Sequence, residues 1–145
     1  MFLGKHATPL DRNSRFTAPT HYTRDLERGA YILQGFERNL LVLPPEAFET
    51  LVRSMTAMNL ADPLVRSLLR LMLGTARPVS LDKNSRLSLP GELKEFAQLE
   101  GDVILVGQGD FFEVWQPHLW EEQETLLRDA LTNSSRFSTL NLTTR

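Results

Sequence analysis

One ten-residue segment occurs twice in the chain. Residues 10–19 read Leu-Asp-Arg-Asn-Ser-Arg-Phe-Thr-Ala-Pro and residues 81–90 read Leu-Asp-Lys-Asn-Ser-Arg-Leu-Ser-Leu-Pro, with six positions identical and three exchanged conservatively. The similarity continues downstream at a spacing of 72 residues. The identical pairs there are Gly29/Gly101, Ile32/Ile104, Leu33/Leu105, Gly35/Gly107, Val42/Val114 and Pro45/Pro117. A match in register over this length indicates that one unit was duplicated and fused, so the fold must be built from two similar halves.

Each copy shows the order strand, turn, strand, short helix, hairpin. Alternating residues predict a strand at 15–18 and again at 86–89, and the proline that follows each strand opens a helical turn. Downstream, two apolar β-rich runs flank a turn that contains glycine, asparagine or aspartate, which is typical of a hairpin. These runs are 30–33 with 40–43 in the first copy, and 103–106 with 111–115 in the second.

Helices are predicted to close and to link the two copies. Pro45 begins one whose apolar residues recur at helical spacing from Phe48 to Met55, and Asp62-Pro63 begins a second that ends at Gly74. The C-terminal counterpart runs from about 119 to 131, before a polar tail loses the pattern. The predicted division is a first unit at 1–60, a linking helix at 61–76, a second unit at 77–132 and the tail at 133–145.

The composition bounds the class of protein. A chain of 145 residues with 41% apolar residues can fill the core of one domain. No apolar run is long enough to predict a membrane span, and the first residues lack the apolar run of a signal peptide. Cysteine is absent, which excludes disulfides and thiolate metal sites. We expect a cytoplasmic protein, and its net charge of −2 means that a nucleic-acid site must concentrate cations on one face.

No constellation of residues predicts catalysis. His6, His21 and His118 lie in unrelated contexts, and neither a nucleophile elbow nor a phosphate-binding glycine loop is present. His118 and Glu122 stand four residues apart on a predicted helix, but two ligands without a third are more typical of a solvated face than of a metal site. The sequence therefore predicts no enzyme, no metal, no cofactor and no small-molecule substrate.

Two groups of apolar side chains have a structural interpretation. Phe48 and Trp120 occupy equivalent points of the two copies, which favours a shared packing role over two separate ligand sites. A core position is also predicted for Met55, Met58 and Met72.

The region that links the copies carries both cations and many apolar side chains. Arg66, Arg70 and Arg77 form either a solvated helix face, which is the preferred interpretation, or an inter-subunit ion-pair surface. The helices at 48–73 have more apolar side chains than one small core needs, which indicates a homo-oligomer.

The repeated decapeptide carries the polar candidates. They lie in two turns of similar composition, Asp11, Arg12, Asn13, Ser14 and Arg15, and Asp82, Lys83, Asn84, Ser85 and Arg86. In a structural interpretation the aspartate accepts backbone hydrogen bonds, the asparagine tolerates a left-handed conformation and the arginine pairs with the aspartate. In a functional interpretation two equivalent loops present four cations, which suits contact with phosphates and reading of guanine by the arginine fork. The two interpretations are compatible.

Further motifs are spread along nearly the whole chain. They are Met-Phe-x-Gly at 1–4, Leu-Asp-x-x-x-Arg at 10–15 and 81–86, Leu-x-Leu-Gly at 71–74, Leu-Val-Gly-Gln at 105–108 and Phe-Glu-Val-Trp at 112–115. This ordered set resembles the MraZ family of bacterial transcriptional regulators, which has two Asp-x-x-Gly-Arg motifs in a tandem swapped-hairpin, AbrB-like fold. The resemblance implies a mixed α/β (α+β) domain in which two swapped-hairpin units form an internal pseudo-dimeric barrel with outer helices.

The same resemblance implies a function. Members of the family bind short direct repeats in double-stranded DNA upstream of the division and cell-wall gene cluster, often at their own promoter, as ring-shaped oligomers. By that resemblance Arg15 and Arg86 contact DNA. We expect these two arginines at base edges and Arg12 and Lys83 on phosphates, with the turn asparagines also in the DNA-binding set. The expected protein is a nucleoid-associated regulator that represses its own operon, and the alternative is a protein-interaction or scaffold module that uses the same turns.

Both turns depart from the family pattern in the same way. The family has a basic residue and then glycine before the arginine, whereas this chain has Asn13-Ser14 and Asn84-Ser85. Serine in place of glycine is costly wherever φ is positive. We therefore expect the asparagines to take the left-handed conformation instead, while Arg12 and Lys83 supply the displaced positive charge. Ser14 and Ser85, with Asp11 and Asp82, then have a turn-structuring role.

Overall fold

The computed structural model describes residues 1–143, and this part of the chain contains eight β-strands and six α-helices. The strands are β1 (Lys5–Pro9), β2 (Arg15–Thr17), β3 (Ala30–Gln34), β4 (Leu40–Leu43), β5 (Arg77–Val79), β6 (Arg86–Ser88), β7 (Asp102–Gly107) and β8 (Phe112–Trp115). The helices are α1 (Thr20–Thr23), α2 (Pro45–Thr56), α3 (Pro63–Met72), α4 (Gly91–Phe96), α5 (Pro117–Leu127) and α6 (Ala130–Arg136), with a 3₁₀ turn at Arg24–Leu26. The predicted mixed α+β class is confirmed.

Most predicted elements are present because short-range signals determine them. Each decapeptide contains a short strand, β2 or β6, and the proline after it opens a helical turn, α1 or α4. β3 with β4, and β7 with β8, form the two antiparallel hairpins. The helix predicted from Asp62-Pro63 is also capped as expected, since the Asp62 carboxylate accepts a hydrogen bond from the Leu64 N–H at 2.9 Å.

The C-terminal region differs from the prediction of one helix at 119–131. α5 ends at Leu127, and α6 then covers residues in which the apolar pattern is lost and no side chain is buried. The Asp129 carboxylate accepts hydrogen bonds from the N–H groups of Leu131 and Thr132, at 3.1 and 3.2 Å. This N-cap starts a helix without a buried face, which hydrophobic periodicity cannot reveal.

The two copies exchange strands within one antiparallel sheet. The strand order is β1-β7-β8-β4-β3-β5, so β1 of the first copy pairs with β7 of the second, and β5 of the second copy pairs with β3 of the first. β2 and β6 form a separate two-stranded sheet. The end strands β1 and β5 do not pair with each other, and closure into a barrel is not confirmed. Pro9 and Pro78 in these end strands lack the N–H groups that a further ladder needs.

The strand register has an internal two-fold symmetry. In the β2–β6 pair Phe16 faces Leu87, and these residues occupy the same position of the two decapeptides. In the β4–β8 pair Leu41 faces Glu113, which lies 72 residues further along the chain. Because equivalent residues face each other in both pairs, a pseudo-two-fold axis passes through both.

Apolar residues are packed on both faces of the six-stranded sheet. Along β4, Leu40 and Val42 belong to one buried cluster, while Leu41 and Leu43 belong to the other. The first cluster includes Phe16 and Leu87 of the small sheet, and α2 and α3 cover the second. The continuous apolar run of β4 is therefore explained by burial on both sides.

The core predictions hold for two of the three methionines. Met55 and Met72 are 2% and 3% exposed, within the second cluster. Met58 is 41% exposed, so its predicted core position is wrong. The reason is that α2 ends at Thr56, and the helical spacing no longer applies at Met58.

The equivalent aromatic residues pack against aromatic neighbours. Phe48 stacks on Tyr31 with ring centroids 4.1 Å apart, and Trp120 meets Trp115 edge-on at 5.6 Å. Both are half-buried.

The three arginines of the region that links the copies differ in their surroundings. Arg66 and Arg70 are exposed on α3, as the solvated-face interpretation predicts. Arg77 lies instead in β5 and pairs with Glu92 at 3.3 Å.

The pair on the pseudo-two-fold axis gives a stability prediction. Phe16→Ala should lower the free energy of unfolding by about 3–5 kcal/mol, because it leaves a cavity where the two units meet. Phe36→Ala is the matched control, since Phe36 is 68% exposed and its change should stay within about 0.5 kcal/mol. Urea titration followed by circular dichroism measures both. Equal stabilities of the two variants would contradict the role given to the β2–β6 pair.

Candidate nucleic-acid interface

The first turn, residues 11–15, and the second turn, residues 82–86, share one backbone geometry. In the first turn the Ser14 N–H donates to the Asp11 carbonyl at 3.0 Å, and the Asp11 N–H donates to the Arg15 carbonyl at 2.9 Å. The second turn repeats both hydrogen bonds at the same distances. This pattern is typical of a three-residue hairpin loop whose last residue is left-handed.

The aspartate of each turn fixes the loop through its carboxylate. Oδ1 of Asp11 accepts hydrogen bonds from the N–H groups of Asn13 and Arg15, at 2.8 and 3.0 Å, and Asp82 makes the equivalent bonds. The hydrogen bond from the Arg15 N–H holds the pKa of Asp11 below its usual value. At Asp82 partial burial opposes the change, but the N–H groups of Arg86 and Asn84 outweigh it and the pKa is again lowered. The backbone hydrogen bonds that the structural interpretation expects of the aspartates are present in both turns.

The serines, not the asparagines, take the left-handed conformation. Ser14 has φ of 59° and Ser85 has φ of 60°, whereas Asn13 and Asn84 have no positive φ. The expectation that the asparagines would take this role is therefore wrong. The third position of such a loop is the left-handed one, and serine stands where glycine would fit without strain.

The carbonyl groups of the two serines also join the turns to the small sheet. The Leu89 N–H donates to the Ser14 carbonyl at 2.9 Å, and the Ala18 N–H donates to the Ser85 carbonyl at 2.9 Å. Each turn is thus held against the strand end of the other copy.

Two aspartates and two arginines form a closed set of ion pairs, here called the Asp–Arg quartet. Nε of Arg15 donates to Oδ2 of Asp11 at 2.9 Å, and Nη1 of Arg15 lies 3.6 Å from Oδ2 of Asp82. Arg86 makes the reciprocal contacts, at 3.0 Å with Asp82 and 3.6 Å with Asp11. The four side chains are 27–31% exposed. Each guanidinium is held by one carboxylate from each copy, which fixes its orientation.

The tips of the turns carry the exposed candidates. Arg12 and Asn13 are exposed in the first turn, and Lys83 and Asn84 are exposed in the second. The quartet brings both turns together, so the predicted residues of the two copies lie at one place in the fold.

Lys94 is a cation at this place that sequence reasoning missed. It lies on α4, and its Nζ donates a hydrogen bond to Oγ of Ser14 at 2.8 Å, across 80 residues of chain. No motif marks Lys94, because the contact depends on the pairing of β2 with β6. The two turns and Lys94 together contribute five cations and two carboxylates, a net charge of three positive on a chain whose net charge is −2.

Other candidate sites receive no support from the geometry. Within residues 1–143 no group of three or more His, Cys, Asp or Glu side chains is placed to hold a metal ion, and His118 and Glu122 are exposed on α5. None of the helices in that range is both long and apolar enough to span a membrane.

The fold and site define a class: a duplicated α+β unit with exchanged strands that presents two equivalent cationic turns. A family described as "MraZ protein, putative antitoxin-like" matches residues 72–140. A protein named transcriptional regulator MraZ from Methylococcus capsulatus is 34% identical over 125 residues, covering 83% of this chain and 82% of the relative. The protein of that name from Thermomicrobium roseum is 32% identical over 128 residues, covering 88% and 89%. The chain belongs to the MraZ family.

The left-handed serines give a second stability prediction. Ser85→Gly should raise the free energy of unfolding by about 0.5–1 kcal/mol, because it relieves a left-handed penalty of about 1–2 kcal/mol at an entropy cost of about 0.5–1 kcal/mol. Ser14→Gly should gain less, since it also removes the acceptor for Lys94. Ser80→Gly is the control, because Ser80 is exposed and has no positive φ. Urea titration measures the three variants, and a loss of stability in Ser85→Gly would refute the strain argument.

Proposed function

We propose that the chain is a sequence-specific DNA-binding transcriptional regulator that represses its own operon and the division and cell-wall gene cluster. The observation that carries this proposal is the pair of cationic turns joined by the Asp–Arg quartet. Support also comes from relatives that are named transcriptional regulators. A nucleoid location follows from this function.

The residues of the turns divide into two roles. Arg12 and Lys83 are exposed at the tips and contact phosphates, which gives affinity without sequence information. Arg15 and Arg86 read guanine at base edges. A guanidinium has five N–H donors, and the carboxylates engage only Nε and Nη1, so other donors remain for a base. Asn13 and Asn84 lie beside them and add polar contacts.

The quartet prepares the arginines for this task. Their orientation is already fixed by carboxylates from both copies, so less side-chain entropy is lost when they meet a base. The carboxylates also neutralise the two arginines, and the net attraction for DNA therefore comes from cations outside the quartet.

Few cations per chain mean that several chains must act together. Linked sites raise the overall affinity without new contacts, which suits short direct repeats in the DNA and a ring of subunits. Exposed apolar side chains on and before α3 are available for such assembly. They are Leu60, Leu64 and Leu71, which are 57%, 76% and 36% exposed.

DNA binding is tested by substitutions that separate the two roles. Arg15→Lys and Arg86→Lys keep the charge of the quartet but lose the fork, so each should lower discrimination between specific and non-specific DNA by about 1–3 kcal/mol. Arg12→Gln should weaken binding to specific and to non-specific DNA equally. It should also reduce the slope of log affinity against log salt by about one per engaged chain. The measurement is titration with duplex DNA from upstream of the chain's own gene at several salt concentrations.

Two outcomes would contradict the assignment. Wild-type affinities in all three variants would exclude the turns from a DNA interface. Salt-insensitive capture of a protein, without binding of duplex DNA, would favour the interaction-module alternative. Thermal unfolding of each variant separates a binding defect from a folding defect.

The proposed oligomerisation is tested by measuring the molecular mass of the protein in solution. Light scattering at micromolar concentration should give the mass of a closed oligomer of several chains, because the exposed apolar residues need a partner. Leu64→Glu should reduce that mass, with Leu131→Glu on α6 as the control at a residue that is 86% exposed. A monomeric mass for the wild type would refute this part of the proposal.

A further inference from the structure

The surroundings of the two turns differ although their backbones match. At the first turn, α4 returns past Ser14 and Lys94 donates to its hydroxyl. By the pseudo-two-fold symmetry, α1 is the helix that corresponds to α4, and Thr23 is the residue that corresponds to Lys94 at the decapeptide spacing of 71. The Thr23 hydroxyl donates within its own helix, to the Thr20 carbonyl at 2.6 Å. The cation beside the first turn therefore has no counterpart at this position beside the second.

Lys94 is held by a neutral group, so its charge is not compensated. Some other basic side chains in the fold are paired with carboxylates, for example Lys5 with Glu124 and Arg77 with Glu92. Within residues 1–143 no carboxylate oxygen lies within 4.0 Å of Nζ of Lys94. The ammonium group has three donors, and Ser14 uses one. Such a group is positioned and still able to bind a phosphate oxygen.

We propose that Lys94 determines the orientation of the protein on DNA by adding a phosphate contact beside the first turn only. This inference rests on the proposed DNA-binding function. A face with full two-fold symmetry binds a given element equally well in either orientation. An extra phosphate contact at one end favours one of the two, so the pseudo-symmetric face binds a non-palindromic element in a single direction.

Ser14 is the positioning residue for this contact. Its hydroxyl is the group that holds Lys94, and glycine at this left-handed position would relieve strain but leave Lys94 without its acceptor. Ser85 has the same φ and no lysine partner, which makes Ser14→Gly and Ser85→Gly a matched pair. Only Ser14→Gly should loosen the orientation on DNA.

Salt dependence tests whether Lys94 contacts phosphate. With a 40-base-pair duplex of random sequence, Lys94→Gln should reduce the slope of log affinity against log salt by about 0.9 per engaged chain. Arg53→Gln is the charge-matched control, since Arg53 is exposed on α2 and its slope should equal that of the wild type. Thr23→Lys should raise the slope by a similar amount, because it places the missing cation beside the second turn.

Directed cleavage tests the orientation itself. The chain has no cysteine, so a single cysteine at Gly91 or Thr20 can carry an iron chelate that cuts nearby DNA. Both positions are neutral and exposed, they directly follow Pro90 and Pro19, and a side chain at Gly91 meets no atom within 4 Å. The DNA is a duplex that the wild-type protein has selected from a random pool. The chain labelled at position 91 and the chain labelled at position 20 should cut at opposite ends of each bound DNA site. The added change Lys94→Gln should make each label cut at both ends.

The outcomes separate the inference from the function on which it rests. Absence of salt-dependent binding of duplex DNA by the wild type would overturn the proposed function. Normal wild-type binding with an unchanged slope in Lys94→Gln would overturn the phosphate contact. Cleavage at both ends by labelled chains that retain Lys94, or at one end after Lys94→Gln, would overturn its role in orientation.

Discussion

The Asp–Arg quartet joins the two copies at the small β2–β6 sheet, where the backbone contributes little stability. β2 and β6 have three residues each, and a two-stranded sheet of that length is marginal in water. Burial of Phe16 and Leu87 stabilises its centre, and the quartet ties its two ends together through ion pairs that cross between the copies. Exposed ion pairs are individually weak, but here each charge has two partners and a backbone-fixed loop behind it. Both turns, and every polar candidate in them, depend on this arrangement.

The same contacts divide the cations of the site into two groups with different roles. Arg15 and Arg86 are oriented and neutralised by aspartates, whereas Arg12, Lys83 and Lys94 have no carboxylate partner within residues 1–143. An oriented guanidinium is suited to discriminate between bases, and an unpaired cation is suited to attract a polyanion. The proposed function therefore needs both groups, and neither can replace the other. Left-handed serines hold the first group in place at a cost in backbone strain.

The sequence predicts what depends on local chemistry or on the repeat. Both hairpins, the proline-initiated helices and the Asp62 cap are confirmed, because each follows from residues close together in the chain. Errors arise where tertiary contacts decide. Asparagine tolerates the left-handed conformation, which predicts Asn13 at that position, yet the hydrogen bonds of the loop assign it to Ser14. Lys94 could not be found from sequence, since only the β2–β6 pairing brings it to Ser14.

A fused duplication can change one half of a symmetric surface at a time. In a homodimer a substitution appears on both sides of the axis, whereas here Leu41 faces Glu113 although the two are equivalent. Leu41 packs in the second apolar cluster, while Glu113 accepts hydrogen bonds from Asn39, Gln108 and Trp115, and burial raises its pKa. Thr23 and Lys94 show the same divergence beside the turns. The backbone remains symmetric because Phe16 and Leu87 must still meet, but the side chains around that contact are free to give the surface a direction.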